Sequence, residues 1–377
     1  MNKKGSNGKK LVSVLLSVLL LLAVFPVAAF ADDSLNVEQT YFPQTGSTVW
    51  WKIENNKLIF GGEGALPDYQ TNYWNGNSYR YSPYYQYLDR ITAVEFEEGI
   101  TKIGDCLLYG FNKITGAVTF PAGLQSIGDY AFSGCTALSG DLDFPASLTY
   151  IGSNAFGSCT GLSNSTVTFH SAVNVGISAF NNCTGLIAVR CDSPAQWLDM
   201  NFGYYYGGSY PTSNPLNYAH DLYVYNAETE RYEIFDQLPE GVTSLRQNSF
   251  CGWKCKNNTL IIPDTLTSIG YAAFANTNFV KVCCNNIAHW SEITFANYQA
   301  NPLHPGVNLY FADGAGGYSL FESFTLPAGR ETVNAYAFYG CKSICGDLRI
   351  PPDLKTVGTD AFRNCTGLTS VTCETLE

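Results

Sequence analysis

The chain is poor in the residues that catalysis and nucleic-acid binding draw on. Charged residues make up 14% of its 377 residues, and histidine occurs only four times, at His170, His220, His289 and His304. No H-E-x-x-H and no G-x-S-x-G run is present, which removes the common zinc-protease and serine-hydrolase signatures. No pair of C-x2-C motifs exists, so a structural zinc site has no ligand set. Dense acidic loops of the calcium-binding kind are missing. Glu97-Glu98 precede a turn, and Asp141 and Asp143 alternate with Leu142, so both pairs read as solvated. Neither a metal nor any other cofactor is expected. A basic excess is missing as well: 21 Lys and Arg stand against 32 Asp and Glu, a net charge of −11. An acidic surface repels phosphate backbones, which argues against nucleic acid as a partner.

Long apolar runs are confined to the first residues. Lys3, Lys4, Lys9 and Lys10 precede an apolar core from Leu11 to Val24, and Ala29-Phe30-Ala31 has the small-x-small form of a cleavage site. Residues 1–31 therefore read as a secretion signal. A membrane anchor is the competing reading, but Pro26 interrupts the stretch and no charged stop-transfer segment follows. No later stretch approaches the ~18 apolar residues of a membrane span. Cleavage removes four lysines and no acids, leaving 17 bases against 32 acids, a net charge of −15.

What the chain does have is a stride. Gly123 to Cys135, with the core Ile127-Gly128-Asp129-Tyr130-Ala131-Phe132-Ser133-Gly134-Cys135, returns at Ser147 to Cys159 and more loosely at Ala172 to Cys183. Phe132, Phe156 and Phe180 lie 24 residues apart, with Leu108 another 24 before; Phe250 and Phe274, and Phe338 and Phe362, keep the same interval. A period of 20–29 residues with a Leu/Ile pattern is the mark of a leucine-rich-repeat solenoid. Alternating runs that end in proline, such as Leu142-Asp143-Phe144-Pro145 and Leu260-Ile261-Ile262-Pro263, predict strands with one buried face. Ile-Gly predicts a second short strand closed by a tight turn that glycine permits. Eight such copies stack in parallel, and Phe132, Phe156, Phe180, Phe274, Phe338 and Phe362 are expected to fill the core between them.

The 13 cysteines follow this stride. Cys135, Cys159, Cys183, Cys341 and Cys365 each lie three residues after a repeat phenylalanine, a position that elsewhere holds Phe111, Trp253 or Thr277. A site that accepts those residues is an apolar packing site, so these cysteines are expected as buried thiols despite the secretory context. Local bridges remain open at Cys251/Cys255 and Cys341/Cys345, and the state of Cys283-Cys284 is undetermined.

Two intervals exceed one stride, Phe180 to Phe250 and Phe274 to Phe338. Both carry a second pattern. Gln196-Trp197-Leu198-Asp199-Met200 precedes Asn214-Pro215-Leu216 and Leu222-Tyr223, and His289-Trp290-Ser291-Glu292-Ile293 precedes Asn301-Pro302-Leu303 and Leu309-Tyr310. These are elaborated coils near 190–235 and 285–322, each with a short outer helix. Residues 32–91 differ again. Trp50 to Phe60 reads as a β-hairpin around Asn55-Asn56, and a cap over the open end of a solenoid is the expectation, with the solenoid itself at 92–377. At the other end no cap is evident, and Val371-Thr372-Cys373 reads as one more strand.

Tyrosines crowd two places. Tyr73, Trp74, Tyr84 and Tyr85 lie in the N-terminal segment, and Tyr204, Tyr205, Tyr206 and Tyr210 in the first elaborated coil. Tyrosine offers a rigid apolar face with a hydrogen-bonding tip, so these are the candidate ligand contacts; the alternative is that many of them cover an open solenoid end.

The unit Ile-Gly-x-x-Ala-Phe-x-x-Cys-x-x-Leu, seen at Ile127 to Leu138 and Ile151 to Leu162, resembles the BspA-type leucine-rich repeat of bacterial surface proteins. Trp290 to Tyr310 and Trp51 to Pro67 resemble further segments of that family. The resemblance spans nearly all of 48–373. The repeat stride itself argues for a binding scaffold and against an enzyme, and the resemblance implies a curved, β-rich solenoid, secreted or surface-displayed and often tied to adhesion, although no wall-sorting segment is visible. The expected partner is a protein of host or other cells. A glycan held on tyrosine platforms, or service as an accessory region of a larger extracellular protein, are the alternatives. Replacing Phe156 by Ala should cost about 3–5 kcal/mol by leaving a cavity in a coil packed on both sides. Equilibrium unfolding checks it: a variant that unfolds with the parent removes Phe156 from the core.

Overall fold

A computed structural model of the protein describes residues 34–43, 48–69, 82–204, 213–304, 306–324 and 329–373. The expected leader at 1–31 lies outside these residues, as do Tyr73, Trp74, Tyr205, Tyr206 and Tyr210. The backbone winds as a parallel β-solenoid of about 11 turns with few helices. Plain coils lend a short strand at the Ile-Gly site, four residues at Ile100–Ile103 and two in the coils that follow, and most add a longer strand before the proline. Ser126–Ile127, Tyr150–Ile151 and Asn174–Val175 pair in parallel, and so do Leu142–Phe144, Ser165–Phe169 and Leu186–Cys191. The run at Val118–Phe120 buries both its apolar residues without forming a ladder.

The core is two stacks of rings. Phe132, Phe156 and Phe180 lie face to face at centroid distances of 5.1 and 5.5 Å, nearly parallel. Phe120, Phe144 and Phe169 form the second stack at 5.2 and 5.4 Å. Phe132, Phe156, Phe180 and Phe338 are fully buried, and Phe274 is 1% exposed. Phe362 is only half-buried: it stacks on Phe338 at 5.3 Å in the last described coil and has a neighbouring coil on one side only. Cys135, Cys159, Cys183, Cys341 and Cys365 are all buried. The thiols of Cys159, Cys183 and Cys365 each donate to the carbonyl of the preceding coil's phenylalanine at 3.0–3.1 Å. Both C-x3-C pairs aim their sulfurs at different partners. Cys255 Sγ donates to Asp236 O and Cys251 Sγ faces Asn217 Oδ1, while Cys341 Sγ meets Ser343 Oγ and Cys345 Sγ meets Glu322 O.

The turn after Ile-Gly is built differently from expectation. The glycine itself is not left-handed; in eight plain coils the left-handed residue lies two positions before the repeat phenylalanine, or before Leu108 in the first of them. Cys106, Tyr130, Asn154, Ser178, Asn248, Ala272, Tyr336 and Asp360 have φ between 51° and 62°. The glycine is required by crowding. A Cβ on Gly128, Gly152, Gly176 or Gly358 would fall 2.3–2.6 Å from a backbone nitrogen of the coil below. Arg246 and Asn334 break the Ile-Gly pattern, and the topology explains why. Their strands, Ser244–Leu245 and Thr332–Val333, each begin a new sheet with no strand below, so there is room for a side chain.

Those two breaks follow the elaborated coils. Their short helices, Pro194–Asp199 and Ile287–Glu292, are capped by Ser193 and Asn286. Each coil then closes its sheet with an antiparallel strand: Leu222–Asn226 pairs with Arg231–Ile234, and Asn308–Ala312 with Tyr318–Leu320. Where the strand ladder stops, side chains reinforce the joint to the next coil beside the backbone bonds Lys254 N to His220 O and Lys342 N to Val307 O. Trp197 Nε1 donates to Ser249 O and Trp290 Nε1 to Ala337 O, at 3.1 and 2.8 Å. Asn214 and Asn301 donate to the carbonyls of the same turns. At the N-terminal end, Trp50–Glu54 and Lys57–Gly61 form the hairpin, its turn made by left-handed Asn55 and Asn56. Phe60 stacks on Phe96 at 5.2 Å, which ties the hairpin to the solenoid.

Candidate recognition surface

The tyrosines singled out from sequence divide on inspection. Tyr84 is a correction: it is fully buried, with its ring against Trp51, Phe60 and Phe111 and its hydroxyl on Leu107 O, so it belongs to the core and can touch no ligand. Tyr85 is half-buried with its ring edge-on to Phe111. Tyr204 is half-buried and packs on Tyr271 at 4.5 Å beside Cys251, Ala272 and Ala275.

The structure brings forward residues that sequence reading passed over. Each elaborated coil presents a tyrosine-bearing hairpin with a cation from a preceding strand over its rings. In the first, Tyr225 and Tyr232 pair across the hairpin with centroids 5.5 Å apart, and the Arg190 guanidinium lies 5.3 Å from the Tyr232 ring. In the second, the Lys281 ammonium lies 4.3 Å from Tyr310 and 5.8 Å from Tyr318. Such contacts stiffen aromatic side chains without burying them. Tyr225 is 39% exposed. The signal was available in the period-2 run Leu222-Tyr223-Val224-Tyr225, whose alternate residues face outward.

The first hairpin adjoins a polar row across three coils. His170 Nδ1 lies 2.9 Å from Asp192 Oδ1, and His170 Nε2 lies 3.0 Å from Asp143 Oδ1. Tyr232 donates its hydroxyl to the same Asp192 oxygen at 3.2 Å. A carboxylate only accepts, and a neutral imidazole has one N–H, so satisfying both contacts calls for an imidazolium. Burial alone would lower the His170 pKa, but the hydrogen bond and charge of Asp192, with Asp143 behind them, overcome it and raise the pKa above the ordinary 6.5.

A cysteine–histidine pair does occur, at Cys284 Sγ and His289 Nδ1, 3.4 Å apart. It has the wrong setting for a nucleophile. Cys284 is fully buried, and burial pushes its thiol up to about 12. His289 Nε2 donates to Leu266 O, as Gln196 in the matching place of the first elaborated coil donates to Phe169 O and Ser171 O. The two side chains serve one purpose, which is to hold the helix to the coil below. Among the described residues no group of three or more His, Cys, Asp or Glu is arranged to hold a metal ion, and no helix is long and apolar enough to cross a membrane.

The raised pKa of His170 gives a pH dependence with a definite sign. Its contribution to stability is complete below pH 6.5 and is lost as pH rises through the raised value. His304 acts in the opposite sense, because burial lowers its pKa. The melting temperature of the parent minus that of a His170→Gln variant should therefore shrink between pH 6 and pH 9; a constant difference would contradict the ion triad.

Comparisons with known proteins follow the geometry. The description "BspA type leucine rich repeat region" matches residues 81–201, 233–303 and 316–376, in six copies. Among solved structures, the chain is similar to a leucine-rich repeat protein of Eubacterium ventriosum, at 18% identity over 89% of this chain and 85% of that one, with a TM-score of 0.45. It is also similar to a leucine-rich cell surface protein of Faecalibacterium prausnitzii, at 18% identity, 90% and 77% coverage and a TM-score of 0.33. The pneumococcal vaccine antigen PcpA follows at 16% identity, 90% and 82% coverage and a TM-score of 0.31. A comparison with curated protein sequences finds no match. With the Ile-Gly-x-x-Ala-Phe coil visible in space and its family pattern matched over most of the chain, the protein belongs to the BspA-type leucine-rich-repeat family.

Proposed function

We propose that the protein is a secreted or surface-displayed adhesion scaffold that binds a protein partner through its two elaborated coils. The observation that carries this reading is the recurrence of one device: a hairpin that ends a parallel sheet and presents tyrosines beneath a cation, at Tyr225, Tyr232 and Arg190 and again at Tyr310, Tyr318 and Lys281. Stacking of coils does not need these rings, since plain coils stack without them. Preorganised, half-exposed tyrosines supply contact area at small entropic cost. The secretion signal read in residues 1–31 and the family both support display outside the cell. Tyr204, with Tyr205, Tyr206 and Tyr210, belongs to the same coil and is proposed as a second contact patch; Tyr73, Trp74 and Tyr85 are proposed as a third.

The test is a binding panel of purified extracellular-matrix proteins against the chain from residue 32 onward. A variant with Tyr225, Tyr232, Tyr310 and Tyr318 changed to Ser should weaken a detected interaction by at least about tenfold, with the far-ultraviolet circular dichroism of the folded chain unchanged. Unchanged binding would remove the hairpins from the interface. The Tyr204→Ala, Tyr205→Ala, Tyr206→Ala triple variant applies the same criterion to the second patch.

A further inference from the structure

A cleft of about 270 Å³ opens beside the second elaborated coil, lined by no residue of its hairpin. Three successive turns wall it, contributing His304, then Tyr339 and Lys342, then Asn364 and Thr366. One side is aromatic. His304 lies 5.0 Å from Tyr298 and 5.6 Å from Tyr339, and Tyr298 lies 5.3 Å from Tyr339, centroid to centroid. Burial holds the His304 imidazole below its usual pKa, so at neutral pH it presents an uncharged ring. Asn364 donates to Tyr339 Oη at 3.1 Å, which fixes that ring. The Lys342 stem crosses Gly306, where a Cβ would lie 2.6 Å from Lys342 Cε. Its ammonium pairs with no carboxylate among the described residues, in a chain with 32 acids.

The fold does not demand this arrangement. The matching positions of the first elaborated coil are Asn217 for His304, Cys251 for Tyr339 and Asn276 for Asn364. There Asn276 Nδ2 donates to Asn217 Oδ1 at 3.0 Å, and the polar side chains close on one another. The second coil replaces that closure with rings and an open cleft, while the lysine stays, Lys254 in one and Lys342 in the other.

We propose that this cleft binds one carboxylated pyranose of an extracellular glycan. The apolar C–H face of a sugar ring packs against His304 and Tyr339, the two rings that line the cleft, while Tyr298 backs both of them. Asn364 and Thr366 offer an amide and a hydroxyl to ring hydroxyls, and Lys342 takes the carboxylate in a charge-assisted hydrogen bond. The volume falls just under the range of drug-sized pockets and suits a single sugar. Uronic acids and sialic acids share this chemistry. The site is independent of the hairpin surface, so either assignment can fail without the other.

The experiment is isothermal titration of the chain from residue 32 onward, in 150 mM salt, with digalacturonate, 3′-sialyllactose and lactose as probes. At least one of the two acidic probes should bind, and lactose about tenfold more weakly or not at all. Which acidic probe binds identifies the sugar class. Lys342→Met, at an exposed site, should keep the melting temperature and weaken the acidic probe about tenfold. His304→Asn, the residue type of the first elaborated coil, should abolish binding. Absence of binding by both acidic probes, equal binding of lactose, or full binding by Lys342→Met would each overturn the proposal.

Discussion

The structure depends on how closely one coil's backbone approaches the next. At the Ile-Gly turn the chains are so near that a Cβ on Gly152 would fall 2.4 Å from Asp129 N. That approach lets the turn of each coil bond to its neighbours on both sides. Gly152 N reaches back to Ile127 O at 2.8 Å, and Asn154 N reaches forward to Ile177 O at 3.0 Å. The left-handed residue that follows the glycine aims its N–H forward, and the phenylalanine falls into register with the ring below. Face-to-face rings at 5.1–5.5 Å are then a consequence of backbone spacing.

The elaborated coils are where this constraint is released and replaced. Their antiparallel hairpins end the sheets, so the next coil begins without a strand beneath it and tolerates Arg246 or Asn334 where glycine stood. Trp197 and Asn214, or Trp290 and Asn301, bridge the gap with side-chain hydrogen bonds to the next turn. Because the strand ladder stops and one backbone bond per joint, Lys254 N to His220 O or Lys342 N to Val307 O, is left beside these side chains, the outer loops are free of the stacking rule. The tyrosine hairpins and the cleft at His304 both occupy that freedom.

Much of this was legible in the sequence, for a physical reason: a stacked coil exposes each position to the same neighbours every time, so the packing requirement repeats as a residue type. The phenylalanine stride, the buried cysteines and the two short helices followed from that. The role of the glycine was misassigned, because sequence alone cannot distinguish a residue chosen for its backbone angle from one chosen for lack of a side chain. Tyr84 was misread for a related reason. A tyrosine that fills the core and one that meets a ligand look alike until the neighbours Trp51, Phe60 and Phe111 are in place. The pairing of Arg190 with Tyr232, and of Lys281 with Tyr310, joins residues on different coils and carries no local mark.

The measurement that tests the central claim most directly is the stability of Gly152→Ala against Gly123→Ala. A Cβ at Gly123 meets nothing within 4 Å, so that variant controls for the general effect of replacing glycine. Denaturant unfolding should show Gly152→Ala less stable by about 3 kcal/mol or more, with Gly123→Ala at or slightly above the parent. If Gly152→Ala unfolds with the parent, the coils do not approach as closely as the structure requires, and the account of the stride fails with them.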